Sequence, residues 1–165
     1  MLAIVAVSAA IPATGTANQN RTQTAVVEAD LHCLAQNIYF EARSESLEGK
    51  LAVAHVVLNR MKDDRFPQKA CSVIRQGGEK RRHRCQFSWW CDGRSDRPRD
   101  EQAWAEAKVL ALLTRAGLTP DPTRGSLWYH ATYVKPGWAR RLNRQVRIGT
   151  HIFYSDKPTQ VAAAD

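Results

Sequence analysis

The sequence predicts a single α+β domain that is mainly helical and carries a small β region. The 165 residues are enough for one domain and not comfortably enough for two. Long segments with helical hydrophobic periodicity come first, and two β-prone segments follow them near the end of the chain. With 44% hydrophobic residues and five Trp, the chain can bury a substantial core.

The first predicted helix runs from about Glu28 to Arg43 and carries a carboxylate on the edge of its apolar face. Ionised carboxylates are rarely buried without a partner, so Glu41 either is paired or lines a cleft. A carboxyl held against apolar walls has a raised pKa and can donate a proton near neutral pH. Glu45, one turn later among polar residues, is expected to be solvated, which makes Glu41 the better general acid. The apolar stripe at helical spacing comprises Leu31, Leu34, Ala35, Ile38 and Ala42.

The second predicted helix, from about Leu47 to Met61, is apolar around most of its circumference. Such a helix is expected to be central, with neighbours packed around it. Its narrow polar strip, formed by Glu48, His55 and Asn59, should face solvent or a site. Asn59 and Arg60 are expected to cap the helix or to make buried hydrogen bonds, and His55 and His151 are expected to be structural.

Three short segments separate the second and third long helices. Ala70 to Gln76 is expected to form a short helix that Gly77-Gly78 ends. The charge run EKRRHR at 79–84 is either a solvated loop or a patch that faces a polyanion. CQFSWWCDG at 85–93 is expected to form a strand or a tight loop, such as the return arm of a small hairpin. Its aromatic residues either belong to the core or stack against sugar rings.

The third long helix is predicted to begin after Asp100, a suitable N-cap residue, and to end near Gly117. Two β-prone segments follow at 126–134 and 146–154, with a turn at Pro136-Gly137-Trp138 between them. The core-facing stripe of this helix is expected to comprise Ala103, Trp104, Ala107, Leu110 and Ala111.

The two ends of the chain are expected to lie outside the folded domain. Residues 1–17 are apolar and then small, which is typical of an export signal cleaved after Ala17 or of a loosely packed N-terminus. Residues 18–27 are expected to form a polar linker and residues 28–156 the domain itself. Residues 157–165 should then be a flexible tail.

The four cysteines, Cys33, Cys71, Cys85 and Cys91, fit an exported domain with two disulfides. Three pairings are possible, and the sequence does not choose among them. A zinc site is a rival interpretation, although the close Cys-x2-Cys spacing is absent. Reduced cysteines in the core are the third interpretation, which applies if the chain is not exported.

The net charge of the chain and the catalytic motifs that its sequence lacks restrict the reactions and partners to be considered. The net charge of +8 draws the chain to polyanions, namely nucleic acid, anionic membranes or acidic cell-wall polymers. The sequence contains no phosphate-binding glycine loop, no Gly-x-Ser-x-Gly and no His-Glu-x-x-His. Acid–base catalysis by carboxylates is the main remaining chemistry, while a Cys–His nucleophile pair stays open.

Several ordered motifs between Leu31 and Tyr154 resemble one family, the SleB/CwlJ-like cell-wall hydrolases, which are peptidoglycan hydrolases of the spore-cortex-lytic type. These motifs are YFEARSE at 39–45, LAVAHVVLNR at 51–60, FP at 66–67, CQFSWW at 85–90, WYHATYVKPGWA at 128–139 and RIGTHIFY at 147–154. The resemblance implies a lysozyme-like, mainly helical α+β fold. It also implies cleavage of the β-1,4 bond between N-acetylmuramic acid and N-acetylglucosamine, with Glu41 as the catalytic glutamate.

The resemblance also suggests residues that bind substrate. It places Tyr129 and His130 in the site region, and strand alternation puts them on opposite faces, so only one is expected to reach the cleft. Gln86 and Ser88 can hydrogen-bond N-acetyl groups or hold Glu41, or they merely satisfy the loop backbone. Trp89 is the expected aromatic contact for a sugar ring.

One strong carboxyl without a clear second suits a lytic transglycosylase, in which the same glutamate acts first as acid and then as base. If Glu45 or Asp92 faces the cleft, hydrolysis by two carboxylates becomes the alternative. An amidase that uses zinc or a cysteine would be a different class of enzyme. A basic wall-binding module without catalysis is the non-enzyme hypothesis.

The expected partner is therefore the glycan strand of peptidoglycan rather than nucleic acid. No metal or other cofactor is expected. Once an export signal is removed, no stable membrane span is expected either. We expect a monomer in the periplasm or outside the cell.

Overall fold

The computed structural model describes residues 14–77 and 85–157. The described chain contains four α-helices, two short 3₁₀ helices and one sheet of three strands. The helices are α1 (Thr14–Ala42), α2 (Leu47–Lys62), α3 (Ala70–Ile74) and α4 (Glu101–Arg115), and the 3₁₀ helices are Ser88–Cys91 and Gly137–Arg141. The strands are β1 (Trp128–Ala131), β2 (Asn143–Ile148) and β3 (His151–Ser155).

Helix α1 begins at Thr14 instead of Glu28, so the linker predicted for residues 18–27 lies within a helix. This segment contains neither Gly nor Pro, and nothing in it stops a helix from extending toward the N-terminus. The side chains of residues 23–29 are all exposed. Residues 23–29 of the extension therefore add nothing to the core, and the first buried residue described in α1 is Cys33.

Helix α2 is the central helix that its apolar circumference predicts. It packs against α1, α3, α4 and β2, and its valines at 53, 56 and 57 are fully buried. Ser46 caps its start by accepting a hydrogen bond from the backbone N–H of Gly49 at 3.3 Å. Helix α2 is thus the central element against which the others pack.

Most of the polar strip of α2 lies under the loop that follows α4, so the expectation that the strip faces solvent or a site is wrong for His55 and Asn59. His55 Nε2 lies 3.0 Å from Thr119 Oγ1. Asn59 Nδ2 donates to Asp121 Oδ2 at 2.9 Å and to the Ser126 carbonyl at 3.2 Å. Both side chains therefore hold the loop that leads into β1 in place through hydrogen bonds.

Helix α4 matches its prediction at both ends. The Asp100 carboxylate accepts a hydrogen bond from the backbone N–H of Ala103 at 3.0 Å. Gly117, just past the helix, adopts a positive φ of 74°, the conformation that a helix C-terminus commonly needs. Ala107, Leu110 and Ala111 are buried against the other helices, while Trp104 packs on the same cluster from a half-buried position.

The sheet is antiparallel with strand order β1-β3-β2. The single β-prone segment 146–154 is in fact a hairpin, because Gly149 and Thr150 turn the chain between β2 and β3. Gly149 takes a positive φ of 53°, which favours glycine. The predicted turn at Pro136-Gly137-Trp138 leads into the second 3₁₀ helix.

The four cysteines form two disulfides, Cys33–Cys71 and Cys85–Cys91. This pairing overturns both the zinc and the reduced interpretations of these residues. The segment from Cys85 to Cys91 forms a 3₁₀ helix at Ser88–Cys91 and not a hairpin arm. A disulfide across six positions closes a loop too short to contain two paired strands.

The sheet packs through Ile148 and Phe153 on Ala52 and Val56 of α2, and Tyr129 also contacts the main helical cluster. The C-terminal end of α1 thereby comes to face β1. No helix among the described residues has the length and apolarity that a membrane crossing requires. Most of the predicted export signal, the charge run 79–84 and nearly all of the predicted tail fall outside the described residues.

Candidate active site

A cavity of about 660 Å³ opens between the C-terminal end of α1 and the sheet. One wall consists of the last turn of α1, a second of the segment that follows Cys85, and a third of β1 with the loop after it. All six residues named from the sequence border this space. They are Glu41, Gln86, Ser88, Trp89, Tyr129 and His130.

Glu41 is held in this cavity by Tyr129. The Tyr129 hydroxyl donates a hydrogen bond to Glu41 Oε2 at 3.0 Å. Burial raises the pKa of Glu41, and the hydrogen bond from Tyr129 offsets part of that rise. Burial and the neighbouring carboxylate raise the pKa of Tyr129 well above its usual range, so its hydroxyl stays protonated and remains a donor. The pair therefore presents a carboxyl that lines the cavity and whose pKa is raised from its usual value.

Tyr129 and His130 are neighbours on β1, and because side chains alternate along a strand they contact different residues. Both side chains nevertheless border the cavity. The expectation that only one would reach it is therefore wrong. His130 Nε2 lies 2.9 Å from the Tyr154 hydroxyl, and its ring stacks on the Tyr154 ring with centroids 5.3 Å apart. Tyr129 alone of the two contacts Glu41, so His130 belongs to the wall and not to the hydrogen-bonded pair of Tyr129 and Glu41.

The three candidate residues that follow Cys85, namely Gln86, Ser88 and Trp89, have different environments. Trp89 is buried, donates from Nε1 to Asn37 Oδ1 at 3.0 Å and stacks on Phe40 at 4.8 Å. Its indole is thus mainly a core group with one edge on the cavity. Gln86 and Ser88 are exposed at the cavity wall.

Arg60 supports two walls of the cavity from behind. Its side chain is fully buried, and Nε donates to the Leu127 carbonyl at 2.7 Å just before β1. With the Gln86 amide oxygen turned toward it, both terminal guanidinium nitrogens donate to that oxygen, at 3.2 and 3.0 Å. Burial lowers the pKa of Arg60 to about 10, so it stays charged at neutral pH. The buried hydrogen-bonding role predicted for Arg60 is confirmed.

Glu45 is not solvated, contrary to the prediction. Its side chain is only 11% exposed, and its carboxylate accepts hydrogen bonds from the Thr150 hydroxyl and, at 3.3 Å, from the Thr150 backbone N–H. His151 Nδ1 lies 3.7 Å from Glu45 Oε1. The carboxylate therefore fastens the end of α1 to the β2–β3 turn and does not border the cavity.

His151, which is predicted from the sequence to be structural, also borders the cavity. Its ring meets the Tyr129 ring edge to face at a centroid distance of 5.1 Å. Burial lowers the pKa of His151, although Glu45 opposes this shift. The lowered pKa keeps the imidazole neutral at pH 7. His151 thus fixes the ring that positions Glu41.

Two further carboxylates, Asp92 and Asp96, also border the cavity, so Glu41 is not the only one that faces it. Burial raises the pKa of Asp96, and the nearby charge of Asp92 raises it further. Tyr133 is another residue that the sequence did not single out: it is 84% exposed at the cavity mouth. Arg43 and Arg94 add positive charge to the rim.

No local sequence signal could have found Asp96, Tyr133 or His151. Each lies in or beside a loop or turn, and its position depends on how the sheet and the segment 85–96 pack together.

Within the described ranges, no three His, Cys, Asp or Glu side chains converge in a way that could hold a metal ion.

Comparison with known families gives a match over most of the domain. The family described as Cell Wall Hydrolase matches residues 44–154. The spore cortex-lytic enzyme of Halalkalibacterium halodurans is 33% identical over 125 residues, which cover 75% of this chain and 34% of that protein. The spore cortex-lytic enzyme of Bacillus subtilis is 33% identical over 126 residues, covering 75% and 37%. The chain spans between 34% and 41% of the length of the curated relatives it matches.

Two solved structures share the fold. The catalytic domain of the Bacillus cereus SleB protein superposes with a TM-score of 0.59 at 29% identity, covering 78% of this chain and 91% of that one. The catalytic domain of the germination-specific lytic transglycosylase SleB from Bacillus anthracis gives 0.53 at 27% identity, covering 76% and 93%. The likeness confirms the predicted lysozyme-like, mainly helical α+β fold.

Proposed function

Because the chain belongs to the cell wall hydrolase family, we propose that it cleaves the β-1,4 bond between N-acetylmuramic acid and N-acetylglucosamine in peptidoglycan as a lytic transglycosylase. The observation that carries the proposal is Glu41, a carboxyl with a raised pKa that lines a cavity and accepts a hydrogen bond from Tyr129. The name of the Bacillus anthracis relative supports the choice of transglycosylation.

In the first step, protonated Glu41 donates its proton to the glycosidic oxygen as the bond from that oxygen to C1 of N-acetylmuramic acid breaks. The Tyr129 hydroxyl is hydrogen-bonded to Oε2 of Glu41, so Oε1 of Glu41 remains for proton transfer. General acid catalysis of this kind contributes about 10²- to 10⁴-fold to the rate. The developing positive charge on the sugar is accompanied by an ionised Glu41 on the same side.

In the second step, ionised Glu41 removes the proton from the C6 hydroxyl of the muramoyl residue. The freed oxygen attacks C1 and closes a 1,6-anhydro ring, which regenerates the protonated glutamate. No water is consumed, so a second carboxylate is not required. A group that must first donate and then accept a proton works best with a pKa near the working pH, which fits the raised pKa of Glu41.

Hydrolysis is the second candidate, and the position of Asp92 and Asp96 favours it. Both border the same cavity as Glu41, and a carboxylate there can activate a water molecule or attack C1. In that reaction Glu41 keeps the role of acid. The two reactions differ in their products: transglycosylation yields an anhydro end, and hydrolysis yields a reducing end.

Substrate and location follow from the same proposal. The wall polymer carries acidic peptide stems, to which a chain of net charge +8 is attracted. Two disulfides suit an oxidising compartment, and we propose action in the periplasm or outside the cell, as a monomer.

The decisive experiment compares wild type with Glu41→Gln on purified sacculi. We expect loss of lytic activity of about 10²- to 10⁴-fold in the variant with the fold and wall binding retained. Glu48→Gln is the matched control, since Glu48 is exposed on α2 and does not border the cavity. Unchanged clearing of sacculi by Glu41→Gln would contradict the role of Glu41 and indicate another catalytic group. Wall binding without any clearing by the wild type would instead favour a non-catalytic wall-binding module.

Mass spectrometry of the released muropeptides separates the two reactions. Anhydro-muropeptides support transglycosylation. Reducing ends that incorporate ¹⁸O from labelled water would instead assign hydrolysis, and loss of activity in Asp92→Asn or Asp96→Asn would then identify the second carboxylate.

A further inference from the structure

The cavity around Glu41 continues into two smaller depressions, of about 480 Å³ and 360 Å³. The first cavity and the middle depression share Gln86, Tyr129 and His130 as lining residues. The middle depression and the last one share Gln86 and Trp138. The three spaces are therefore adjacent, and together we call them the groove, which runs from Glu41 past His130 to the 3₁₀ helix Gly137–Arg141.

Trp138 is a rigid aromatic surface in this groove. Its half-buried indole meets the rings of His130 and Tyr154 edge to face, each at a centroid distance of 5.6 Å. Those two rings stack on each other and are joined by the contact of 2.9 Å between His130 Nε2 and the Tyr154 hydroxyl. An indole fixed in this way loses little side-chain entropy when a ligand packs against it.

Arg141 supplies a positive charge at the far end of the groove. Its side chain is exposed, and it forms no ion pair with any residue in the described part of the chain. Arg65 is different, because Asp63 and Asp156 both engage its guanidinium. Arg141 is thus available to an anionic group from outside the protein.

We propose that Trp138 and Arg141 form a distal subsite for a muramoyl residue that carries its peptide stem. The sugar packs its apolar face on the Trp138 indole, and a stem carboxylate pairs with Arg141. The inference rests on the proposed function, since the groove is interpreted as the track of a glycan strand that continues from the cleavage point at Glu41. The subsite adds affinity for polymer and does not take part in bond cleavage.

Binding and kinetics test the subsite separately. In the Glu41→Gln background, Trp138→Ala should weaken binding of soluble glycan strands roughly tenfold, and Trp138→Phe should restore most of the affinity. In the otherwise wild-type enzyme, Trp138→Ala should raise KM for strands by a similar factor with kcat nearly unchanged. Arg141→Gln should raise KM about threefold for strands with peptide stems, and should have no effect on strands from which an amidase has removed the stems.

Arg115→Gln on α4 is the control, because Arg115 is exposed and does not border the groove. Unchanged strand binding by a correctly folded Trp138→Ala variant would overturn the subsite, as would an Arg141→Gln effect that is equal with and without stems. These results are independent of the proposed reaction. If Glu41→Gln kept full lytic activity, the assignment of Glu41 would fall, while the KM comparison between wild type and Trp138→Ala would still decide the subsite.

Discussion

The Tyr129 hydroxyl donates to Glu41 Oε2 across 3.0 Å and joins residues that are 88 positions apart in the chain. Tyr129 stands on β1, and Glu41 on the last turn of α1. The contact therefore exists only when the sheet is docked on the helices. Its geometry depends on Arg60, which holds the start of β1, and on His151, which packs against the Tyr129 ring.

Tyr129→Phe should shift the pH dependence of cleavage. The hydroxyl lowers the pKa of Glu41, so its removal lets burial raise that pKa further. Glu41 must be protonated to act as an acid, and the alkaline limb of kcat/KM should therefore move to higher pH. The maximal rate should fall roughly 10- to 100-fold, because Glu41 loses the group that orients it. A pH–rate profile on soluble strands checks this, and an alkaline limb that moves to lower pH would contradict it.

Glu41→Gln should be more stable than wild type above neutral pH. The pKa of Glu41 is higher in the folded state than in the unfolded chain, where it is about 4.3. The stability linked to its protonation is fully present below that value and is lost as pH rises through the folded pKa. Gln has no such dependence, so the advantage of the variant should grow as pH rises from about 4.3 through the folded-state pKa of Glu41. Urea unfolding across this range measures the difference, and one that does not vary with pH would refute the linkage.

The two disulfides should have different consequences. Removing Cys33–Cys71, which spans 38 positions, should cost about 4 kcal/mol of unfolding free energy by the chain-entropy relation. Removing Cys85–Cys91, which spans six, should cost about 2 kcal/mol. However, the shorter loop carries Gln86 and Ser88 at the cavity wall, so its loss should reduce kcat/KM more.

Double Cys→Ser variants of each pair provide the comparison, with activity corrected for the folded fraction from urea titrations. Equal loss of activity per folded molecule in the two variants would show that the short disulfide does not organise the cavity.

Local patterns predicted the helices because helix signals are local. The helical periodicity of α2 and the Asp100 cap of α4 lie within a few positions of the residues they organise. The hairpin of β2 and β3 was missed because only two residues, Gly149 and Thr150, separate its strands, so that one β-prone segment runs across the turn. Glu41 was found because a carboxylate on an apolar stripe is a local anomaly.

The rest of the site depends on contacts between distant segments. Glu45 has polar neighbours in sequence, which predicted solvation, yet Thr150 covers it from 105 positions away. Asp96 and His151 enter the cavity because separate segments converge there. Neither hydrophobic periodicity nor motif spacing reveals such convergence. The sequence without its fold could therefore indicate Glu41 as a candidate but not the residues around it.

Gly149→Ala tests how tightly the Glu45 carboxylate is held. A Cβ added at Gly149 would collide with Glu45 Oε2, and the positive φ of 53° adds strain of about 1–2 kcal/mol. To avoid the collision, Glu45 must leave Thr150, which should cost a further 1–3 kcal/mol or so. Gly125→Ala is the matched control, since Gly125 has a φ of 75° and nothing within 4 Å of the added atom.

A double-mutant cycle with Glu45→Ala separates the two costs. In the Glu45→Ala background the collision is gone, so Gly149→Ala should cost only the backbone strain, close to the cost of Gly125→Ala. The coupling free energy from urea unfolding should therefore be about 1–3 kcal/mol. Equal costs of Gly149→Ala in both backgrounds would mean that the carboxylate moves aside freely, and that its contacts with Thr150 and His151 contribute little to docking the sheet on α1.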